Sequence, residues 1–202
     1  MTRIYRIVLT AVALVSFFPG IALGQGQGQG GPPADTFSVG FYVNANQPDV
    51  ADGTVFITNP GTSGGDLCAD IYVFDANGEM AECCGCPVPQ NGLLTLSING
   101  DLTSNPLTGV SPTTGVFKII SSLESGRCDP RMANPKPALR ADSEIPAKHR
   151  NPVNSKTSEG HKGYAVHDAT LSSKELGSLK NRCASIINEG SGHAVCSCGG
   201  GS

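Results

Sequence analysis

Leu67-Cys68-Ala69-Asp70-Ile71-Tyr72-Val73-Phe74-Asp75-Ala76-Asn77-Gly78-Glu79-Met80-Ala81-Glu82-Cys83-Cys84-Gly85-Cys86 is the stretch on which the reading of the fold turns. Asn-Gly supplies the backbone that a tight hairpin turn needs, so Asn77-Gly78 predicts a two-residue turn between two antiparallel strands. Cys84 then lies opposite Ile71, and Cys86 opposite Ala69. Side chains alternate across a strand, so Leu67, Ala69, Ile71 and Val73 form one apolar face. Cys84 and Cys86 share that face and point into the core. Cys83 and Cys68 point the other way, with Asp70, Tyr72 and Phe74.

Working outward, further short apolar runs surround this hairpin: 36–43, 54–58, 93–98 and 116–121. Turn residues separate them, among them Asn59-Pro60-Gly61, Asn91-Gly92, Asn99-Gly100 and Asn105-Pro106. Roughly six or seven short strands punctuated in this way predict a β-sandwich, immunoglobulin-like in architecture. One C-terminal helix is expected on a face or edge of it. Ser172 with Glu175 forms a capping box, and Leu171 with Leu176 a hydrophobic staple. Leu176, Leu179, Cys183 and Ile186 recur at helical spacing, and Gly190 and Gly192 end the helix.

The N-terminus carries its own signal. Arg3 and Arg6 precede an uncharged apolar run of twelve residues, Ile7 to Phe18, and Ala22-Leu23-Gly24 offers small residues for cleavage. This is the pattern of a secretory signal peptide over 1–24. Twelve helical residues span only ~18 Å against a hydrocarbon core of ~30 Å, so a membrane anchor is not expected. The Gly/Gln-rich segment 25–34 reads as a flexible tether. A single β-rich domain is expected over 35–202. Within it, 129–162 is rich in Pro, Lys and Arg and reads as a long disordered excursion. The charged sequence after Leu139-Arg140-Ala141 argues against a final strand there.

Charge is unevenly spread. Residues 25–117 contain nine acids and no Lys or Arg, and from Lys118 onward there are twelve bases and eight acids. The acidic part disfavours nucleic acid as a partner. No membrane span is expected after signal cleavage, which leaves an unspecified protein or envelope component.

The eight cysteines, Cys68, Cys83, Cys84, Cys86, Cys128, Cys183, Cys196 and Cys198, are disulfide candidates. An oxidising compartment and an even count favour four bridges. The repeated Cys-x-Cys spacing at 84–86 and 196–198 suggests two columns facing each other as a ladder. Cys183 is close in sequence to the tail, and closing a short loop costs little. It is therefore expected to bridge to Cys196 or Cys198, with the other tail cysteine reaching Cys84 or Cys86.

Catalytic readings fare poorly. A structural zinc site typically pairs two Cys-x₂₋₄-Cys knuckles; Cys83-Cys84-Gly85-Cys86 offers that spacing once and Cys196-Ser197-Cys198 does not, and redox catalysis needs an accessible low-pKa thiolate. Gly61-Thr62-Ser63-Gly64-Gly65 matches a serine-hydrolase pattern, but no His precedes His149 and a strand follows instead of a helix. His149 and His161 fall in the excursion, while His167 and His193 lie nearer the end, His193 close to Cys196. The acidic turns at 49–53 and 75–79 lack the spacing of a calcium loop. No catalytic residue, cofactor or metal site is assigned. The expectation is a secreted or envelope non-enzymatic structural or binding module. A thiol-redox or metal-binding protein using Cys84-Gly85-Cys86 and Cys196-Ser197-Cys198 is the alternative.

Leu67 to Asp75, Glu82-Cys83-Cys84-Gly85-Cys86-Pro87, Asn91 to Ser97, Asp101 to Gly109, Gly126-Arg127-Cys128-Asp129-Pro130 and Cys196 to Gly199 together resemble a family of secreted, cysteine-rich bacterial hypothetical proteins. The resemblance covers most of the mature chain. It implies no activity, and no functional residue is assigned through it.

Overall fold

The structure, a computed structural model, describes residues 36–123, 126–137, 139–144 and 166–199. The signal peptide and tether expected over 1–34 lie outside the described residues, as does 145–162 of the expected excursion. The described strands form two antiparallel sheets. The larger joins β1 (Phe37–Tyr42), β3 (Leu67–Asp75), β4 (Met80–Val88), β6 (Gly115–Leu123) and the two-residue β8 (His167–Asp168), in the order β4-β3-β6-β1-β8. The smaller joins β2 (Thr54–Thr58), β5 (Leu93–Ser97) and β7 (Arg140–Glu144), in the order β5-β2-β7. Helix α1 spans Ser173–Glu189.

Two apolar clusters hold three layers together. Val55, Ile57 and Leu96 of the smaller sheet meet Ala69, Ile71, Phe117 and Ile119 of the larger one, forming the inter-sheet core. On the opposite side, Phe37, Tyr72, Phe74 and Ile120 meet Leu179, Cys183 and Ile186 of α1. Every residue of β3 from Leu67 to Phe74 is therefore buried although the strand alternates in sequence. The sandwich is as expected in kind. Second pairs with fifth strand and third with sixth, the central pairings of the immunoglobulin type. The edges differ, since β1 pairs with β6 and β7 with β2.

The hairpin register places the cysteines as the sequence predicts: Ala69 opposite Cys86, Ile71 opposite Cys84 and Tyr72 opposite Cys83. The turn itself is one residue longer than expected. Gly78 N donates to Asp75 O at 3.1 Å, Asp75 N donates to Glu79 O at 2.9 Å, and Gly78 takes the left-handed conformation. Phe74 consequently faces Met80, whereas Val73 faces Glu82, so Ala81 is an extra, bulged residue. The bulge cancels the longer turn and restores the register. It also turns Met80 toward the helix while sending Glu82 to the face of Cys84.

Helix α1 follows its sequence signals, with Ser172 Oγ accepting from Glu175 N at 3.0 Å. The reciprocal half of the capping box is replaced. Glu175 Oε1 accepts instead from Lys118 Nζ of β6 at 2.5 Å, and Lys118 also lies 5.0 Å from the Phe74 ring centre. The cap thus ties the helix to the sheet.

The excursion expected from residue 129 is corrected over its first half. Pro130–Met132 forms a short 3-10 turn, and Tyr72 Oη donates to Pro130 O at 2.7 Å. Lys136 N donates to Ser121 O, and Leu139 is buried in the inter-sheet core. β7 then pairs along all of β2, contrary to the absence of a strand expected there. Backbone pairing and one buried leucine suffice where the sequence shows no apolar alternation.

Gly40 lies opposite Phe117, and a Cβ on it would fall 2.2 Å from Phe117 Cζ. Gly40→Ala is expected to destabilise the fold by about 1–3 kcal/mol through overpacking. Ser172→Ala should cost about 1 kcal/mol through the lost cap. Urea unfolding of the oxidised protein checks both values, and an unchanged midpoint for Gly40→Ala would contradict the packing described.

Candidate functional site

Four disulfides pair all eight cysteines and leave none free. Cys84 joins Cys196 and Cys86 joins Cys198, each across 112 residues and with Cα–Cα distances of 5.2 and 5.3 Å. The equal separation means that the tail runs parallel to β4, as the bridge between Cys83 and Val195 also shows. The expected ladder is present, with Cys84 Sγ and Cys86 Sγ 3.8 Å apart.

Cys183 is not part of that ladder. It bonds to Cys83, and this corrects the expected bridge to Cys196 or Cys198. The larger sheet stands between the two sites: Cys183 packs on the helix side, where Cys83 points, whereas Cys84, Cys86 and Cys196 belong to the inter-sheet core. Pleat direction outweighs the small entropic advantage of a short loop. Cys68 bonds to Cys128. Gly85 has a packing role, because a Cβ there would come within 2.6 Å of the Cys128 carbonyl group. Glycine lets the chain carrying Cys128 cross directly over β4.

The tail is seated by backbone bonds on both sides. Ala194 N donates to Asn105 O at 2.7 Å, and Ala194 O accepts from Cys83 N at 3.0 Å. Asn105 Nδ2 donates to Gly192 O and Val195 O, so its Oδ1 is the acceptor toward His193 Nδ1 at 2.9 Å. His193 is therefore occupied in holding the tail, and His167 is exposed on β8. His149 and His161 lie outside the described residues. The sulfurs of Cys84, Cys86 and Cys198 fall within 4.8 Å of one another, but each is bonded in a disulfide. Ser63 Oγ donates within its own loop to Gly65 O at 3.3 Å, and that loop joins strand to strand. The turn acids are likewise engaged. Asp75 Oδ1 accepts from Asn77 N and Glu79 N, and Asp52 accepts from Asn99 N and Ser97 Oγ.

Two buried carboxylates escaped the sequence reading. Glu82 is fully buried beneath the loop that carries Asn105, whose N donates to Oε1 at 2.8 Å; Oε2 has no partner among the described residues. Burial pushes its pKa up to about 7. Asp70 is 1% exposed; its Oδ2 accepts from Ser122 Oγ and its Oδ1 has no partner among the described residues. Burial raises its pKa to about 6. The signal was an acid inside an apolar strand, visible at Asp70 yet silent about which layer would cover it.

A cavity of about 790 Å³ lies at the tip of the β3–β4 hairpin. Its apolar surface comes from Met80, Leu107, Val110 and Ile186, and its rim from Glu79 and Arg182. Arg182 Nη1 donates to Gly78 O at 3.0 Å, and the guanidinium lies 5.9 Å from the Phe74 ring centre. A second cavity of about 580 Å³ shares Asp75, Gly78, Thr114 and Arg182 with the first.

Both buried acids hold protons more tightly folded than unfolded, so their stabilisation is complete below pH ~4. It is lost as pH rises through about 6 for Asp70 and about 7 for Glu82. For Glu82 the loss is on the order of 3 kcal/mol, from 1.36 kcal/mol per pKa unit. Denaturant midpoints of the oxidised protein should fall between pH ~4 and 7 and then level. Glu82→Gln should flatten that fall, and an equally steep profile in the variant would contradict the burial described.

No protein-family model, curated protein or solved structure matches the chain.

Proposed function

We propose that this chain is a secreted or cell-envelope, non-enzymatic binding or structural module, displayed on its Gly/Gln tether. The observation that carries the reading is the complete pairing of the cysteines, two pairs of which fasten the tail to the edge of the larger sheet. Disulfides persist in oxidising compartments, in keeping with the signal peptide expected over 1–24. Among the described residues, no helix is long and apolar enough to cross a membrane. The acidic part 25–117 speaks against nucleic acid as the partner, and the resemblance to secreted cysteine-rich bacterial proteins points to the same setting. Redox catalysis through Cys84 and Cys86 finds little support. Each is bonded to the tail instead of to the other, and both are buried, at 4% and 0% exposure.

Thiol titration of the native-source protein, denatured without reductant, tests the reading. No thiol is expected before reduction and eight after it. Two or more titratable thiols, or thiols released only by a chelator, would favour the redox or metal-binding alternative. Mass analysis of the same sample should place the mature N-terminus near Gln25. An intact N-terminus in the cytoplasmic fraction would remove the extracytoplasmic assignment.

A further inference from the structure

The cavity at the hairpin tip combines an apolar floor with two side chains of opposite charge, Glu79 and Arg182, that retain hydrogen-bonding capacity. Met80 and Ile186 are 7% and 8% exposed and form the floor with Leu107. Val110, 74% exposed, stands at the margin. The Glu79 carboxylate makes no hydrogen bond or ion pair among the described residues; only its backbone engages Asp75. Arg182 spends one N–H on Gly78 O, and a guanidinium has five. The other charged side chains around the tip already have partners within the protein, although the donors to Asp75 are neutral and leave its negative charge in place. Asp75 accepts from Asn77 N, Asn77 Nδ2 and Glu79 N, while Lys118 and Glu175 pair with each other.

The walls are also held in place without a ligand. The Arg182–Gly78 bond ties helix to hairpin, and the Cys83–Cys183 disulfide pins the helix one residue away. A preformed site loses less to ordering when it binds. Its volume falls within the range of ~300–1,000 Å³ typical of small-molecule sites.

We propose that this cavity binds a short apolar peptide with free termini. The ammonium group faces Glu79, the carboxylate faces Arg182, and aliphatic side chains lie on Met80, Leu107 and Ile186. A simple fatty anion would be repelled by Glu79 and Asp75, and a simple amine would leave the Arg182 guanidinium without an anion. A zwitterion satisfies both. The inference rests on the binding-module reading and gives it a site and a ligand class.

The test is a titration of the oxidised, methyl-labelled full chain with Leu-Leu, N-acetyl-Leu-Leu and Leu-Leu-amide, followed by NMR. Leu-Leu is expected to shift the Met80, Val110 and Ile186 methyls and to bind at least about tenfold more tightly than either blocked peptide, as a charged hydrogen bond warrants. Arg182→Gln should reduce Leu-Leu to the affinity of the amide, and Glu79→Gln to that of the acetylated form. No shift at these methyls up to millimolar peptide, shifts confined elsewhere, or equal affinity for all three peptides would each overturn the proposal. Such a failure leaves the module reading intact, because that reading fails on free thiols instead.

Discussion

The alternation of side chains along β4 is the constraint on which the rest of this structure depends. Consecutive residues of a strand face opposite sides. Cys83 therefore reaches up to the helix, while Cys84 and Cys86 reach down to the tail. One nine-residue strand thereby anchors three of the four bridges and both outer elements. The fourth bridge, from Cys68, leaves the neighbouring strand on the helix side and fixes the crossing over Gly85.

This arrangement suits a chain with no Trp and few aromatic residues to fill its core. The bridges close loops of 60, 100, 112 and 112 residues. Loops of that size restrict the unfolded chain by ~4–5 kcal/mol each in the chain-entropy description. They overlap heavily, so the effects do not add. The same reserve of stability accommodates two buried carboxylates, each with an oxygen that has no partner among the described residues, which a weaker scaffold would tolerate poorly. The tail also solves an edge problem. β4 would otherwise present unpaired backbone groups to solvent, and the parallel segment around Val195 engages that edge at Cys83.

Much of this was legible in the residues themselves. Alternation in Leu67–Phe74 fixed which cysteines share a face, and Ser172, Glu175 and Gly190 delimited the helix. The turn at Asn77-Gly78 came out one residue longer than read, and only the compensating bulge at Ala81 kept the cysteine register. β7 was missed because it is an edge strand whose sequence, Arg140-Ala141-Asp142-Ser143-Glu144, carries a single apolar residue, so no alternation marks it. The partner of Cys183 was misread because proximity along the chain carries no information about which side of a sheet a helix will cover. Glu82 and Arg182 were passed over for a related reason: an acid or an arginine in sequence looks the same whether its carboxylate is entombed or its guanidinium roofs a cavity.

The matched Cys-x-Cys spacings have a consequence for how the chain acquires its covalent form. A tail shifted by two residues along β4 would close one bond and strand two thiols, so oxidation tends to reject it. A tail laid in the reverse direction would close two bonds, Cys84 with Cys198 and Cys86 with Cys196, and strand none. That product and the native one are topoisomers, identical in mass and in oxidation state. Chemistry alone does not choose between them; the direction of the chain does. In the folded chain the turn in which His193 N donates to Gly190 O, followed by the two backbone bonds of Ala194, holds the native direction. Maturation is therefore a matter of chain direction as much as of redox, since a reversed tail returns to the native pairing only by thiol–disulfide exchange, the reaction a disulfide isomerase catalyses.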